Sequence, residues 1–461
     1  MVILPIVETD DLLDYFALIS DRDGERILLV ENTDGTLALP RWKGDVNIPW
    51  EMVDHVNRQV KRQWGLKATT LRCLCNRVSH DQQRLCRIYE LETHGTSGIK
   101  PAEGCRWVSQ EDLETLRLPE PGHSLLLHSW FAEGNLTSVE ANVDTPWRRA
   151  GWLAIAVSWV LDQLKRHSIS TLGSIEQVRV SHKSVLLRAP TSVGEVFFRA
   201  SRRPLDINER LLDWELRPYF SEFLPGHIAS DPRRGWSLAR TTGSCIKIEG
   251  IEVEHLAELD EAVSALALFQ QNTSRHVPTF LELGLPDRQA DKLCNVISPL
   301  INDLASRRGI LSPEEIRILR ERIPRYQEAC MRMHTVNLPA VLEHGDFTPY
   351  AVPTFPGFVF PDWSEPCVTH PFFRMAYPFI AGDNNDATVL GRARQGYLEA
   401  WAGFATADRL NETFDLACVL APLHYASTYY FMEASNAETQ WEIDGGLRFY
   451  LRKLLRLPGQ H

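Results

Sequence analysis

The sequence has no run able to cross a bilayer: its most apolar stretch, Gly151 to Leu161, falls far short of the ~20 residues a spanning helix needs. It has no basic excess either. Lysine and arginine number 49 against 60 aspartates and glutamates, a net charge of −11. That argues against a nucleic-acid backbone as the main partner but leaves room for a local basic pocket. The start, MVILPIVETDD, lacks the basic residues of a secretory signal and meets acidic ones at once. None of the nine cysteines forms a CxxC pair. Cys73 and Cys75 would share one face of a strand, with Cys86 and Cys105 further on, a pattern that fits buried free thiols better than a metal site. His334, His344 and His370 form no HExxH, no GKS or GKT follows a glycine loop, and no G-x-S-x-G surrounds a serine. Repeats and low-complexity tracts are missing too. The expectation is a cytoplasmic protein with reduced thiols and neither membrane nor nucleic-acid partners.

What is present is ordinary for a folded chain of two or three domains: 461 residues, 44 % hydrophobic and 24 % charged. YFALISDRDGERILLVENTDGTLALPRW holds two apolar runs joined by an Asp-Gly turn, which is hairpin chemistry. Over residues 51–64, Val53, Val56, Val60 and Trp64 follow a helical period, and Asp54 with Arg58 is an i,i+4 pair. Strand-like RCLCNRVSH and RLCRIYELE follow, then a short helix capped by Ser109 with Glu111 or Asp112 in its first turn. This α+β domain ends near residue 140, where EGNLTSVEANVDTP reads as a linker. A second part, residues 141–461, opens with an amphipathic helix over about Trp147–Lys165. Two β-like runs, SIEQVRVSHKSVLLRAP and GEVFFRAS, then flank the turn TSVG. From about residue 246 the pattern is helical, and Ser312, Pro313 and Glu315 start one helix cleanly. A small β-rich lobe to about residue 245 thus precedes a larger helical one.

Read from Gly44, the segment ending RQVKRQWGL has the spacing of a metal-binding loop and helix. Residues 10–130 resemble the Nudix family of diphosphate hydrolases. The skeleton matches at Gly44, Arg58, Val60, Gly65 and Leu66, and EGCRWVSQEDL lies beyond. The family's glutamates do not match. Trp50 stands at the first, Glu51 is one place off, and Gln59, Arg62 and Gln63 fill the others. Hydrolysis in that family needs Mg²⁺ held by carboxylates. The resemblance therefore implies the fold without the hydrolase. It leaves three readings of the domain: packing, partner binding, or direct capture of a phosphate by Arg58 and Arg62.

LEHGDFTPYAVPTFPGFVFPDWSEP carries the second constellation: His344-Gly345-Asp346 after an apolar run, a Pro356-Gly357 turn, then Asp362. From about residue 145 onward the chain resembles the aminoglycoside phosphotransferase and choline kinase family. TPWRRAGWLAIAVSWV, the hairpin SVLLRAPTSVGEVFFRA, LPGHIASDPRRGWSLAR and THPFF fall in the family's order. The two resemblances together imply an α+β chain: a Nudix-like α/β/α sandwich, then a bilobal protein-kinase-like fold. They imply Asp346 as the base toward an acceptor hydroxyl and Asp362 as the Mg²⁺ ligand. Arg199 falls at the phosphate-binding lysine, with Glu209 its acidic partner, although Glu215 also fits by spacing. The cofactors implied are Mg²⁺ and ATP or GTP, and the partner is a small-molecule alcohol. Asp383, Asp386 or Glu433 could attract a cationic acceptor. Two departures stand out: Ala351 replaces the family's second metal ligand, and Arg374 stands where an acidic residue commonly follows PFF. A phosphotransferase and a pseudoenzyme whose two domains only bind both remain open.

Overall fold

A computed structural model describes residues 13–21, 23–45, 48–78, 85–94, 102–132, 145–201, 215–240, 246–247, 256–304, 307, 309–345, 350–354, 357–360, 363, 366–381, 386–432 and 437–456. Packing divides the chain into two units. One holds Pro5–Arg203 with His227–Arg240, the other Pro204–Gly226 with Thr241–His461.

The first unit contains two sheets. A seven-stranded sheet is built from β1 (Leu13–Ser20), β2 (Arg26–Glu31), β3 (Leu37–Ala38), β4 (Arg41–Gly44), β5 (Ala68–Val78), β6 (Leu85–Thr93) and β7 (Cys105–Ser109). Strand β1 is buried along its whole length, so it needs cover on both faces. Its alternation supplies that cover. Tyr15 packs against His55 of α1 (Asp54–Trp64), and Phe16 packs against His123 of α3 (Pro121–Ala132). The sheet therefore lies between helices. Helix α2 (Gln110–Thr115) starts on the expected cap, a reciprocal box between Ser109 and Asp112. Strand β5 carries a register shift between Cys73 and Cys75, so the simple two-residue alternation does not apply there. All eight described cysteines are free thiols.

The second sheet is antiparallel, in the order β11 (Gly226–Asp231), β12 (Trp236–Arg240), β10 (Gly194–Ser201), β9 (Ser184–Thr191), β8 (Glu176–Val180). The expected first β-run is two strands, turned at Ser181–Ser184, where the Ser181 hydroxyl accepts from the Lys183 and Ser184 N–H groups. The expected helix from Trp147 is broken at Gly151, which is left-handed at φ 82°; a short turn, Pro146–Arg148, precedes α4 (Trp152–Arg166). Trp159 of α4 packs edge-on against Phe198 and Trp236 of the sheet, and Trp152 edge-on against Trp236.

The two sheets meet at β8. Residues 51–53 add to its edge: Val180 N–H donates to the Glu51 carbonyl at 2.9 Å, and Val53 N–H to the Val178 carbonyl at 3.0 Å. Buried Gln177 completes the join. Its amide accepts from Thr70 N–H at 3.1 Å and donates to the Thr70 carbonyl at 2.8 Å, while Asn57 Nδ2 donates to it at 3.0 Å.

The other unit is mainly helical: α5 (Leu256–Thr273), α6 (Ala290–Leu304), α7 (Pro313–Thr335), α8 (Phe372–Ala381), α9 (Ala387–Ala400), α10 (Ala407–Phe431) and α11 (Ala437–Arg456). Helix α7 has the expected Ser312–Glu315 box. Its small strands are β13 (Ile246–Lys247), β14 (Asp287–Arg288), β15 (Val341–Glu343), β16 (Tyr350–Thr354), β17 (Gly357–Val359) and β18 (Cys367–Thr369). No described helix is long and apolar enough to cross a membrane.

Candidate functional site

Helix α1 presents two faces. Val56, Val60 and Trp64 are buried, and the Asp54–Arg58 ion pair forms at 2.6 Å. Gly65 ends the helix in the left-handed region at φ 70°. The opposite face, His55, Arg58, Gln59 and Arg62, follows the i, i+3, i+4, i+7 spacing. With Lys61 and the β4 segment Trp42–Asp45 it lines a cleft of about 660 Å³, floored by Tyr15. Gly44 is required there, because a Cβ on it would sit 2.1 Å from the Tyr15 ring.

Trp50, Gln59, Arg62 and Gln63, at the glutamate positions of the pattern read from Gly44, do not suit Mg²⁺. Gln59 Nε2 donates to Gln63 Oε1 at 2.9 Å, and Arg62 donates to Gln59 Oε1, so these side chains satisfy one another. Trp50 is buried, its carbonyl accepting from the Tyr89 hydroxyl at 2.9 Å. Glu51 is half-buried beside the β8 edge and does not line the cleft. Among the described residues, no group of three or more His, Cys, Asp or Glu could hold a metal ion. Magnesium needs several hard oxygen ligands, and among the described residues the cleft lining offers one carboxylate, Asp45.

The electrostatics are cationic instead. Lys43, Arg58, Lys61 and Arg62 line the cleft against one carboxylate, Asp45. Asp14 holds Arg41 at 2.9 Å and Lys43 at 2.7 Å. Burial resists Asp14 ionisation, but its bonds to Arg41 and Lys43 prevail and lower its pKa. Burial lowers the His55 pKa, and neither of its buried ring nitrogens has a hydrogen-bond partner among the described residues.

In the helical unit, β15 ends at Glu343, directly before His344-Gly345. The buried His344 ring stacks on Phe360 at 6.2 Å and tilts against Trp363 at 5.6 Å. Trp363 Nε1 donates to the Phe360 carbonyl at 2.9 Å. Gly345 is left-handed at φ 81°, a conformation that favours glycine. The β16–β17 hairpin lies between the two motifs, with Val352 paired to Val359. Ala351 sits within β16, opposite Ile246. Buried Arg374 pairs with buried Glu343 at 3.5 Å. His370 Nδ1 accepts from Phe372 N–H at 3.1 Å and so caps α8; burial holds its pKa down at about 3. Arg199 lies half-buried on β10 between Leu186 and Ser237. Asp346, Asp362, Glu209, Asp383 and Glu433 lie outside the described residues. Asp386 caps α9 through its side chain, accepting from Thr388 N–H at 2.7 Å.

No family model matches the sequence, and no curated protein matches it. Solved structures similar in fold to the C-terminal part include a macrolide 2′-phosphotransferase from Brachybacterium faecium (16% identity, TM-score 0.44, covering 66% of this chain and 100% of that one). A choline kinase from Cryptosporidium parvum is similar at 11% identity and TM-score 0.46, over 65% of this chain and 96% of that one. The N-terminal part is similar to a MutT structure from work on Aliivibrio salmonicida and Vibrio cholerae, at 17% identity and TM-score 0.22, over 27% of this chain and 99% of that one.

Sequence reasoning found Gly44, Arg58, Gln59 and Arg62 but missed Lys43, His55 and Lys61, which complete the cleft. The signal was available, since 55, 58, 59 and 62 share one helical face. Glu343 was missed because its partner is 31 residues away, and Gln177 because Thr70 is 107 residues away.

Proposed function

We propose that residues 141–461 form a phosphotransferase acting on a small-molecule hydroxyl, with Asp346 as base and Asp362 as the magnesium ligand. One observation carries the reading. His344 packs on both Phe360 and Trp363, so the segments leading into the two aspartate motifs are tied together by one aromatic cluster. Such tethering is what a base and a metal ligand need, because phosphoryl transfer depends chiefly on positioning and charge. When bound, Mg²⁺-ATP or Mg²⁺-GTP would supply the phosphoryl group and offset its charge. Asp346 would orient the acceptor hydroxyl and take its proton. The Nudix-like domain contributes no hydrolysis in this reading.

Calorimetric titration with ATP, with and without Mg²⁺, tests it. Magnesium-dependent binding that Asp362→Ala abolishes is the expected result, followed by transfer that Asp346→Ala removes. Ala351, which cannot coordinate a second metal, favours a second reading in which the domain binds without turnover. Nucleotide binding with no transfer to any hydroxyl would favour that reading, and failure to bind nucleotide would narrow it to ligands other than nucleotides.

A further inference from the structure

We propose that the α1 cleft binds a diphosphate group directly, with arginine and lysine side chains taking the place of a metal ion. Charge is the first support. Four cations line the cleft against Asp45; with Arg41, Asp14 and Asp54 included, cations still exceed carboxylates by five to three. This surplus sits in a chain of net charge −11. Among the described residues neither Lys61 nor Arg62 has a carboxylate partner, so both keep their capacity for an anion.

Donor geometry is the second support. Arg58 and Arg62 are one helical turn apart on the same face, and a guanidinium presents a planar fork that matches phosphate oxygens. Lys43 approaches from the β4 side and carries a compact charge. His55 lines the cleft as well, its ring packed on Tyr15 at 5.5 Å and its Nδ1 3.8 Å from Asp54 Oδ1. The volume is the third support. About 660 Å³ exceeds what orthophosphate or inorganic diphosphate fills and leaves room for a diphosphate ester. Gly44 lets β4 approach the Tyr15 ring beside this space. A group that binds between cations needs no Mg²⁺ to offset its charge, and a cation at position 62 would repel one.

The test is calorimetric titration of the full chain with inorganic diphosphate in metal-stripped buffer, beside orthophosphate and ADP. Diphosphate is expected to bind without metal and more tightly than orthophosphate, and added salt is expected to weaken it. Arg62→Glu and Lys61→Glu, both on exposed positions, are each expected to weaken binding by about tenfold or more, and Arg62→Lys, which keeps the charge but loses the fork, by less. Tighter binding of ADP than of diphosphate, lost in the same reversals, would identify a diphosphate ester as the ligand. Equal affinity of the two would identify the diphosphate group alone as the feature recognised. Binding that appears only with Mg²⁺, binding unchanged in both reversals, or no binding would each overturn the proposal.

Discussion

Arg374 and Glu343 form an ion pair at 3.5 Å with side-chain exposures of only 1% and 4%. Glu343 immediately precedes the His344-Gly345 turn, and Arg374 lies in the first turn of α8. The arginine that looked out of place in sequence thus has its counter-charge at the end of β15. The pair ties the strand entering the His-Gly-Asp motif to the helix behind it.

Breaking one side of that pair should be costly. A buried charge left without its partner loses roughly 3–5 kcal/mol. Glu343→Gln and Arg374→Met are each expected to lower stability by about that much, read as a shift in urea midpoint at constant slope. The double variant should cost clearly less than the sum, because it strands no charge. Additive losses would show that the two side chains act independently.

Gly44→Ala tests the cleft floor. The Tyr15 ring cannot retreat: it is fully buried, its hydroxyl donates to the Asp45 carbonyl at 3.1 Å, and Arg87 Nη1 donates to it at 2.9 Å. Overpacking of this kind costs roughly 1–3 kcal/mol. Gly65→Ala meets no atom within 4 Å and should cost only the left-handed backbone, about 1 kcal/mol. A Gly44→Ala protein as stable as its parent in urea would mean that β4 moves freely from Tyr15.

Local signals made much of this architecture legible in the sequence. The α1 period, the Ser109 and Ser312 caps and the Asp-Gly hairpin depend on neighbours a few residues away, and each formed as read. What was not legible depends on distant partners. The bulge that shifts Cys73 against Cys75 is set by pairing with β6, and the break at Gly151 coincides with a bond from its N–H to Glu92, 59 residues earlier. The cleft was half legible, because its helix face can be read from spacing while Lys43 arrives only by strand pairing of β4 with β1.

Gln177 offers a test of the join between the two sheets. Its amide mimics a peptide group, pairing with both the N–H and the carbonyl of Thr70. Gln177→Ala leaves buried backbone groups unpaired and should cost about 2 kcal/mol. Gln177→Glu should cost more at neutral pH, since a carboxylate faces the Thr70 carbonyl. Should thermal melting rank the two variants the other way, the amide contact would not be what holds the join.

Two buried groups should give pH dependences of opposite sign. Glu92 Oε2 accepts from Gly151 N–H at 2.6 Å. Burial raises its pKa from 4.5, the Gly151 bond opposes the rise and Glu90 adds to it, giving about 7. The folded chain then holds a proton that the unfolded chain has lost between pH 4.5 and 7. Stabilisation from Glu92 is therefore complete below about pH 4.5 and is lost as pH rises through 7, a change of roughly 3 kcal/mol. His370 runs the other way. Burial lowers its pKa from 6.5 to about 3, so its contribution is complete above pH 6.5 and falls with acidification. Between pH 6.5 and 4.5 that loss is roughly 3 kcal/mol. Urea titrations at several pH values of the parent, Glu92→Gln and His370→Asn should separate the two. Both variants keep an acceptor for the N–H they cap, so each mainly removes a titration. The parent's advantage over Glu92→Gln should shrink as pH rises, and its advantage over His370→Asn should grow. Parallel pH profiles for parent and variant would show that the group titrates alike folded and unfolded.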